Sequence, residues 1–255
     1  MRVIILSAGR GTRLLPLTRN TPKALLDLGH GITLVESQLA SIREVGLRDV
    51  CLVLGYLAEQ VEAKVRRFDG LNIEFVYNPF FDLANNLVSM WMARHYMNDA
   101  FISINGDDVF HPSVLRKLLE VPTPPEITMV IDRKVQYVAE DMKVQLKAGL
   151  VTAVSKQIPV HVADGESIGM IRYVGNGSLG MKRMLDEMVR EPEGLKVFYL
   201  EAIQRLAQRG VPIGVVDVEP ELWAEVDFHP DLELIRENVL RIADSLIAPA
   251  TPTHD

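Results

Sequence analysis

The chain has 255 residues, enough for one large domain or two small ones, and 48% of them are hydrophobic, enough to fill a continuous core. Its formal net charge of −7 excludes a general binder of nucleic acid or of an anionic membrane, since both carry a basic balance.

The first apolar run, VIIL (3–6), is a strand and is too short for the apolar region of a signal peptide. No later run approaches the ~18 apolar residues of a membrane span. A cytoplasmic protein with no membrane partner is expected. A helix near 33–46 follows, then VCLVL (50–54), a helix near 58–67, IEFVY (73–77), a helix near 86–98 and FISIN (101–105). Cys51, the single cysteine, lies inside the second strand and reads as a buried, inert thiol, so no disulfide or cysteine-based metal site forms within one chain. This βαβαβαβ alternation predicts an α/β fold with a parallel sheet covered by helices on both faces, and binding beyond the carboxyl ends of the strands. The segments SAGRG, GY, NP and NGDD stand at those ends, so four strand ends converge on one crevice.

After Pro112 the pattern is mixed. Strands are predicted at 126–132, 142–147, 151–156, 168–174 and 213–218, and helices near 178–190, 197–209 and 230–246. PTPPE (122–126) reads as a loop between sheet elements, so one domain over residues 1–247 is expected, with a frayed tail at 248–255. The sequence leaves homo-oligomer formation open.

The segment LSAGRGTRLLPLTRNTPKALLDLG (6–29) places glycines and cations directly behind the first strand. Gly9 and Gly11 let backbone amides approach an anion, and Arg13 and Lys23 bring charge to phosphate oxygens. Leu14 stands where a dinucleotide fingerprint needs glycine, and no Gly-Lys-Ser/Thr follows, so two familiar phosphate loops are excluded. An ordinary turn with solvated arginines is the plain alternative.

The spacing as a whole resembles the signature A-A-G-x-G-x-R-x-x-P-L-T…P-K of the nucleotidylyltransferases that make NDP-sugars and CDP-alcohols, with Ser7 in place of an alanine. The resemblance implies a Rossmann-like, mixed but mostly parallel sheet of the nucleotide-diphospho-sugar transferase type. It also implies that Leu6, Ala8, Gly9, Gly11, Thr12 and Arg13 line a nucleotide and that Lys23 contacts its phosphates. Arg13 and Lys23 are then the catalytic cations.

Nucleotidyl transfer needs a divalent cation, typically Mg²⁺, held by one or two carboxylates. Asp107 and Asp108 end the fourth strand, where an Asn-Gly-Asp turn is the plain alternative. The family pattern assigns the metal to Asp107, with Asp108 as helper. AEVDFHPDLELI (224–235) resembles a later family segment and makes Asp227 the second ligand; alternatively Asp227 helps start the helix, with Asp231 in its first turn.

VYNPFFDLANNLVSMWMAR (76–94) resembles a stretch of bacterial phosphocholine cytidylyltransferases and their inositol-phosphate and phosphonate relatives, which implies CTP as the nucleotide. Asn85, Asn86 and Ser89 then stand at a helix start near the base or the α-phosphate; helix capping is their plain alternative. Leu87, Met90, Trp91 and Met97 have core spacing. In the acceptor half, 140–173, the resemblance makes Lys143 and Lys156 candidates for the acceptor's phosphate and Glu166 for its polar or cationic head, against the reading of strand lysines as a solvent face. Tyr137 is the one aromatic in the run before this segment, with Tyr173 and Trp223 as further candidates, few for a quaternary ammonium cage.

The expected reaction is therefore CMP transfer from CTP to a small phosphate or phosphonate, with release of pyrophosphate. The alternatives are a sugar-1-phosphate enzyme using UTP or TTP, a non-catalytic nucleotide-binding relative and a metal-dependent glycosyltransferase. The complete set of motif residues disfavours the second, and the Gly-x-Gly-x-Arg loop followed by Pro-Lys disfavours the third.

Overall fold

Val3, Ile4, Ile5 and Leu6 are buried along strand β1 (Arg2–Ser7), a pattern that only a strand covered on both faces can carry. A computed structural model describes residues 1–122, 124–219 and 222–236 of the chain. The expected helical stretch after residue 236 and the tail at 248–255 lie outside the described residues.

From β1 the chain runs through α1 (Leu34–Glu44), β2 (Asp49–Leu54), α2 (Ala58–Val65), β3 (Asn72–Tyr77), α3 (Asn86–Met92) and β4 (Ala100–Asn105). It continues through β5 (Asp108–Phe110), α4 (Pro112–Leu119), β6 (Ile127–Asp132), β7 (Lys143–Lys147), β8 (Leu150–Ser155) and β9 (Gly165–Val174). The last described elements are α5 (Asn176–Met188), α6 (Leu200–Gln208), β10 (Ile213–Val218), β11 (Trp223–Glu225) and a helix α7 over residues 229–236.

Nine strands form one sheet in the order β3-β2-β1-β4-β9-β6-β10-β8-β7. β3, β2, β1 and β4 are parallel, as the alternation predicts, and β9 runs antiparallel between β4 and β6. In the parallel half Ser7 is level with Leu54, and Leu54 with Tyr77, while Leu6 is level with Asn105. The carboxyl ends therefore form one rim. Three backbone bonds tie the segments beyond it together: Tyr56 N to Ala8 O (3.0 Å), Asn78 N to Leu54 O (2.8 Å) and Gly106 N to Leu6 O (3.0 Å). A Cβ on Gly106 would stand 2.5 Å from Leu6 O, so glycine is what allows β4 to leave the sheet this close to β1.

The faces alternate as the pleat requires. Val3 and Ile5 pack with Val35, Leu39 and Ile42 of α1, and Ile4 and Leu6 with Leu87 and Met90 of α3 and Met184 of α5. A third cluster joins Leu14, Leu26 and Leu34 to Val109, Val226 and Leu232. It roots the opening loop, β5 and α7 in one apolar patch beside the rim.

Three features differ from the sequence reading. No element was expected between FISIN and residue 126, where α4 stands; Pro112 occupies its first helical position, where its missing N–H costs nothing, and His111 accepts from Ser113 N (3.2 Å). The helix expected at 86–98 is α-helical only to Met92 and tightens to a 3₁₀ turn over Ala93–Tyr96. β5 and β11 form a separate antiparallel pair, three residues each, too short to leave a periodic signal.

Candidate active site

The opening loop is shaped by two tight turns. Gly11 has φ 64, accepts Leu14 N (3.0 Å) and Thr18 Oγ1 (2.8 Å) on its carbonyl, and leads into the turn Thr12–Leu14. Leu14 is fully buried and anchors that turn. A second turn, Lys23–Leu25, follows Pro22, and a Cβ on Gly11 would stand 3.2 Å from Lys23 Cβ. Glycine thus admits the lysine stem alongside the loop.

Lys23 Nζ reaches two carboxylates from the far side of the chain, Asp107 Oδ2 at 2.9 Å and Asp227 Oδ1 at 3.0 Å. Arg13 pairs with the other oxygen of Asp227. Burial alone would depress the Lys23 ammonium, but Asp107 and then Asp227 outweigh it and hold the group above its ordinary range. Asp107 is positioned from both sides: Gly106 is held on Leu6, and the Asp107 carbonyl accepts Val226 N (3.0 Å).

Asp227 does not cap the helix that follows it. Asp231 does, accepting Asp227 N at 3.0 Å and Phe228 N at 2.6 Å, and this leaves the Asp227 carboxylate to the two cations.

A third carboxylate belongs to the group and was missed in the sequence. Carboxylate oxygens of Asp107, Glu225 and Asp227 all lie within 4.8 Å of one another. Burial, then Asp107 and Asp227, push Glu225 up to about 8. Three convergent carboxylate oxygens are a hard donor set that suits Mg²⁺. The available signal was the spacing Glu-x-Asp at 225 and 227, which puts both side chains on one side of extended chain.

Asp108, expected as a helper, is instead turned into the interior. Its backbone carbonyl accepts Gln38 Nε2 (2.8 Å), and burial, followed by Asp107 and Glu225, holds its carboxyl well above the usual range. It lies outside the group of three.

These residues open onto a cleft of about 1000 Å³. One wall carries Leu6, Ala8, Gly9, Gly11, Thr12 and Arg13, with Lys23, Asp107 and Asp227 at its base; another carries Asn85, Asn86 and Ser89. The expected core residues Leu87, Met90 and Met97 are buried, and half-buried Trp91 donates to Asp186 (2.8 Å). Asn85 does cap α3, its Oδ1 accepting Asn86 N (2.8 Å). Ser89 Oγ accepts from Asn78 Nδ2 (2.9 Å).

The third wall carries Lys156 and Glu166 from the expected acceptor set, together with Lys134, Asp141 and Trp223. Lys134 pairs with Glu166 and with Asp141 Oδ1 (3.2 Å). Burial pushes Glu166 up to about 7, against the opposing pull of Lys134. Trp223 Nε1 donates to Asp132 Oδ2 (3.0 Å).

Lys143 and Tyr173 are corrections. Lys143 neither lines the cleft nor faces solvent: it is buried, and its ammonium donates to the carbonyls of Val138 (3.2 Å), Ala139 (3.1 Å) and Asp141 (3.0 Å). A buried ammonium must find acceptors, and these three turn the lysine into a brace for the loop before β7. Tyr173 is fully buried and stacked on Phe101, ring centroids 4.3 Å apart, so it belongs to the core of the sheet.

The sequence profile of the MobA-like NTP transferase domain matches residues 3–210. This chain belongs to that family. The nucleotidyltransferase is 27% identical over 225 residues to a choline-phosphate cytidylyltransferase of Streptococcus pneumoniae, covering 80% of this chain and 94% of that one. It is 34% identical over 123 residues to the CMP-5'-(3-aminopropyl)phosphonate synthase of Streptomyces rubellomurinus, covering 48% of this chain and 19% of that longer protein. Among solved structures, the inositol-1-phosphate CTP transferase from T. maritima superposes with a TM-score of 0.80 at 21% identity, covering 95% of this chain and 96% of that one. That likeness confirms the expected α/β fold of the nucleotide-diphospho-sugar transferase type, a mixed sheet flanked by helices. No helix among the described residues is long and apolar enough to cross a membrane.

Proposed function

We propose that this enzyme transfers CMP from CTP to a small phosphate- or phosphonate-bearing acceptor and releases pyrophosphate. The observation that carries the reading is the convergence of Arg13 and Lys23 with Asp107, Glu225 and Asp227 at the base of a glycine-lined cleft. The cytidylyltransferase relatives support the choice of CTP.

In this reading an oxygen of the acceptor's phosphate or phosphonate attacks the α-phosphorus of CTP. The bond from that phosphorus to the oxygen bridging to the β-phosphate breaks, and the electron pair leaves with pyrophosphate. No protein nucleophile takes part, so the work is positioning and charge stabilisation. Leu6, Ala8, Gly9, Gly11 and Thr12 hold the nucleotide against the rim, and Arg13 and Lys23 take charge from the phosphates. Ser89, in the first turn of α3, borders the base side. Asp107 and Asp227, joined by Glu225, would hold Mg²⁺, which would neutralise charge on the triphosphate. Lys156 receives the acceptor's anionic end, and Glu166, with Lys134, lies against its polar head. One nucleotidyltransferase domain spans residues 1–247.

The test is pyrophosphate release with Mg²⁺ for CTP, UTP, TTP, ATP and GTP, each against phosphocholine, 2-aminoethylphosphonate, 2-hydroxyethylphosphonate, inositol 1-phosphate and glucose 1-phosphate. Release confined to CTP with a non-sugar acceptor is expected; release only with glucose 1-phosphate would move the enzyme to the sugar branch.

A further inference from the structure

Two consecutive asparagines at the start of α3 hold a segment that is about 110 residues away in the chain, a separation whose closure entropy the contacts must offset. Asn85 N donates to Leu195 O (2.7 Å), and Asn85 Nδ2 reaches Lys196 O (3.4 Å). Asn86 Oδ1 accepts Tyr199 N (2.9 Å). The segment 195–199 bridges the nucleotide wall and the acceptor wall, because Leu195, Lys196 and Phe198 line the cleft and the Phe198 ring lies 5.2 Å from Lys156 Nζ. Lys156 in turn pairs with Glu140 (3.1 Å).

We propose that Asn86 is a positioning residue: through Oδ1 it holds the 195–199 segment against α3 and thereby sets Phe198 and Lys156 for the acceptor. The side-chain oxygen that base recognition would use is already engaged by a backbone amide, and the amide it engages belongs to the acceptor side of the cleft. Replacing that oxygen frees the Tyr199 backbone amide, while the buried Tyr199 ring stays anchored by its hydroxyl, which donates to Gly169 O (3.0 Å). The backbone from Lys196 to Phe198 then loses its tie to α3, and Phe198 is held less firmly beside Lys156. The inference about the acceptor rests on the proposed function; the inference about the segment does not.

The chemistry of Asn86 separates positioning from nucleotide contact. Asn86→Asp keeps an oxygen for Tyr199 N and loses the Nδ2 donor, and a negative charge is tolerated at the first position of a helix. Asn86→Ala loses both. Lys196 is an exposed lysine inside the segment, so trypsin cleavage after it reports the open state directly.

The experiment is limited trypsin digestion of the full chain, wild type, Asn86→Ala and Asn86→Asp, with cleavage after Lys196 followed by mass spectrometry. KM is measured for CTP and for phosphocholine or 2-aminoethylphosphonate, whichever turns over. Asn86→Ala is expected to be cut about tenfold faster, the effect of losing one buried hydrogen bond, and Asn86→Asp within about twofold of wild type. The acceptor KM of Asn86→Ala rises about tenfold while its CTP KM moves less than about threefold. Equal cutting of Asn86→Ala and wild type, or Asn86→Asp cut as fast as Asn86→Ala, would overturn the proposal. So would a CTP KM that rises as much as the acceptor KM. If no acceptor turns over, the proposed function fails while the cutting rates still decide whether Asn86 holds the segment.

Discussion

The ammonium of Lys23 lies 2.9 Å from the carboxylate of Asp107, although 84 residues separate them in the chain. It lies equally close, at 3.0 Å, to Asp227. A divalent cation bound by these carboxylates would have to share their oxygens with the lysine.

Lys23→Met is therefore expected to act in opposite directions on metal and on turnover. Mn²⁺ binding to the free protein, followed by electron paramagnetic resonance, should tighten, because the competing cation is gone. Turnover should fall by roughly 10²-fold, the usual effect of removing one preorganised charge-stabilising group. Unchanged Mn²⁺ affinity and unchanged turnover together would take Lys23 out of the site.

Asp107→Asn and Asp227→Asn should each abolish Mg²⁺-dependent pyrophosphate release with little change in the thermal midpoint. The contrast is Asp231→Ala, which removes the side chain that accepts Asp227 N and Phe228 N and should cost about 1 kcal/mol of stability. Loss of stability in Asp227→Asn with activity retained would return Asp227 to a helix-start role.

Lys143 and Lys156 should part ways. Removing Lys143 by mutation to Ala takes away the buried donor that ties three backbone carbonyls of the loop before β7 together and is expected to destabilise the fold by about 2–3 kcal/mol. Lys156→Ala should leave the thermal midpoint nearly unchanged and raise the acceptor KM. A raised acceptor KM in a stably folded Lys143 variant would contradict the brace.

Glu166 supplies a pH dependence. Burial pushes its carboxyl from an ordinary 4.5 up to about 7 in the folded chain, so between these values the folded state binds the extra proton. Stability from this group is accordingly full below pH 4.5, declines as pH rises towards about 7 and is constant above it. The thermal midpoint of Glu166→Gln should fall less than that of wild type between pH 5 and pH 8. Parallel profiles would show that Lys134 already compensates the charge.

Much of this protein is legible in the chain itself. The parallel half of the sheet follows from local pattern, since a strand buried on both faces and an amphipathic helix each leave a periodic trace over six or more residues. The opening loop is legible because Gly9, Gly11, Arg13 and Lys23 lie within one contiguous turn-rich segment that lines the cleft, and the core role of Leu87 and Met90 because helical spacing marks it.

What only the tertiary structure decided are the relations that no local pattern records. The pairing of β5 with β11 rests on three residues in each strand, and it is this pairing that brings Glu225 beside Asp107 and Asp227. Lys143 and Lys156 look alike in alternating strands, yet one is buried and donates to three loop carbonyls while the other meets the ring of Phe198 beside the cleft. Tyr173 and Asn86 are likewise assigned by what packs against them, Phe101 in one case and Tyr199 N in the other. The physical reason is common to all of these. A charged or polar side chain takes its role from the partner that compensates its burial, and in this fold most of those partners arrive from distant parts of the chain.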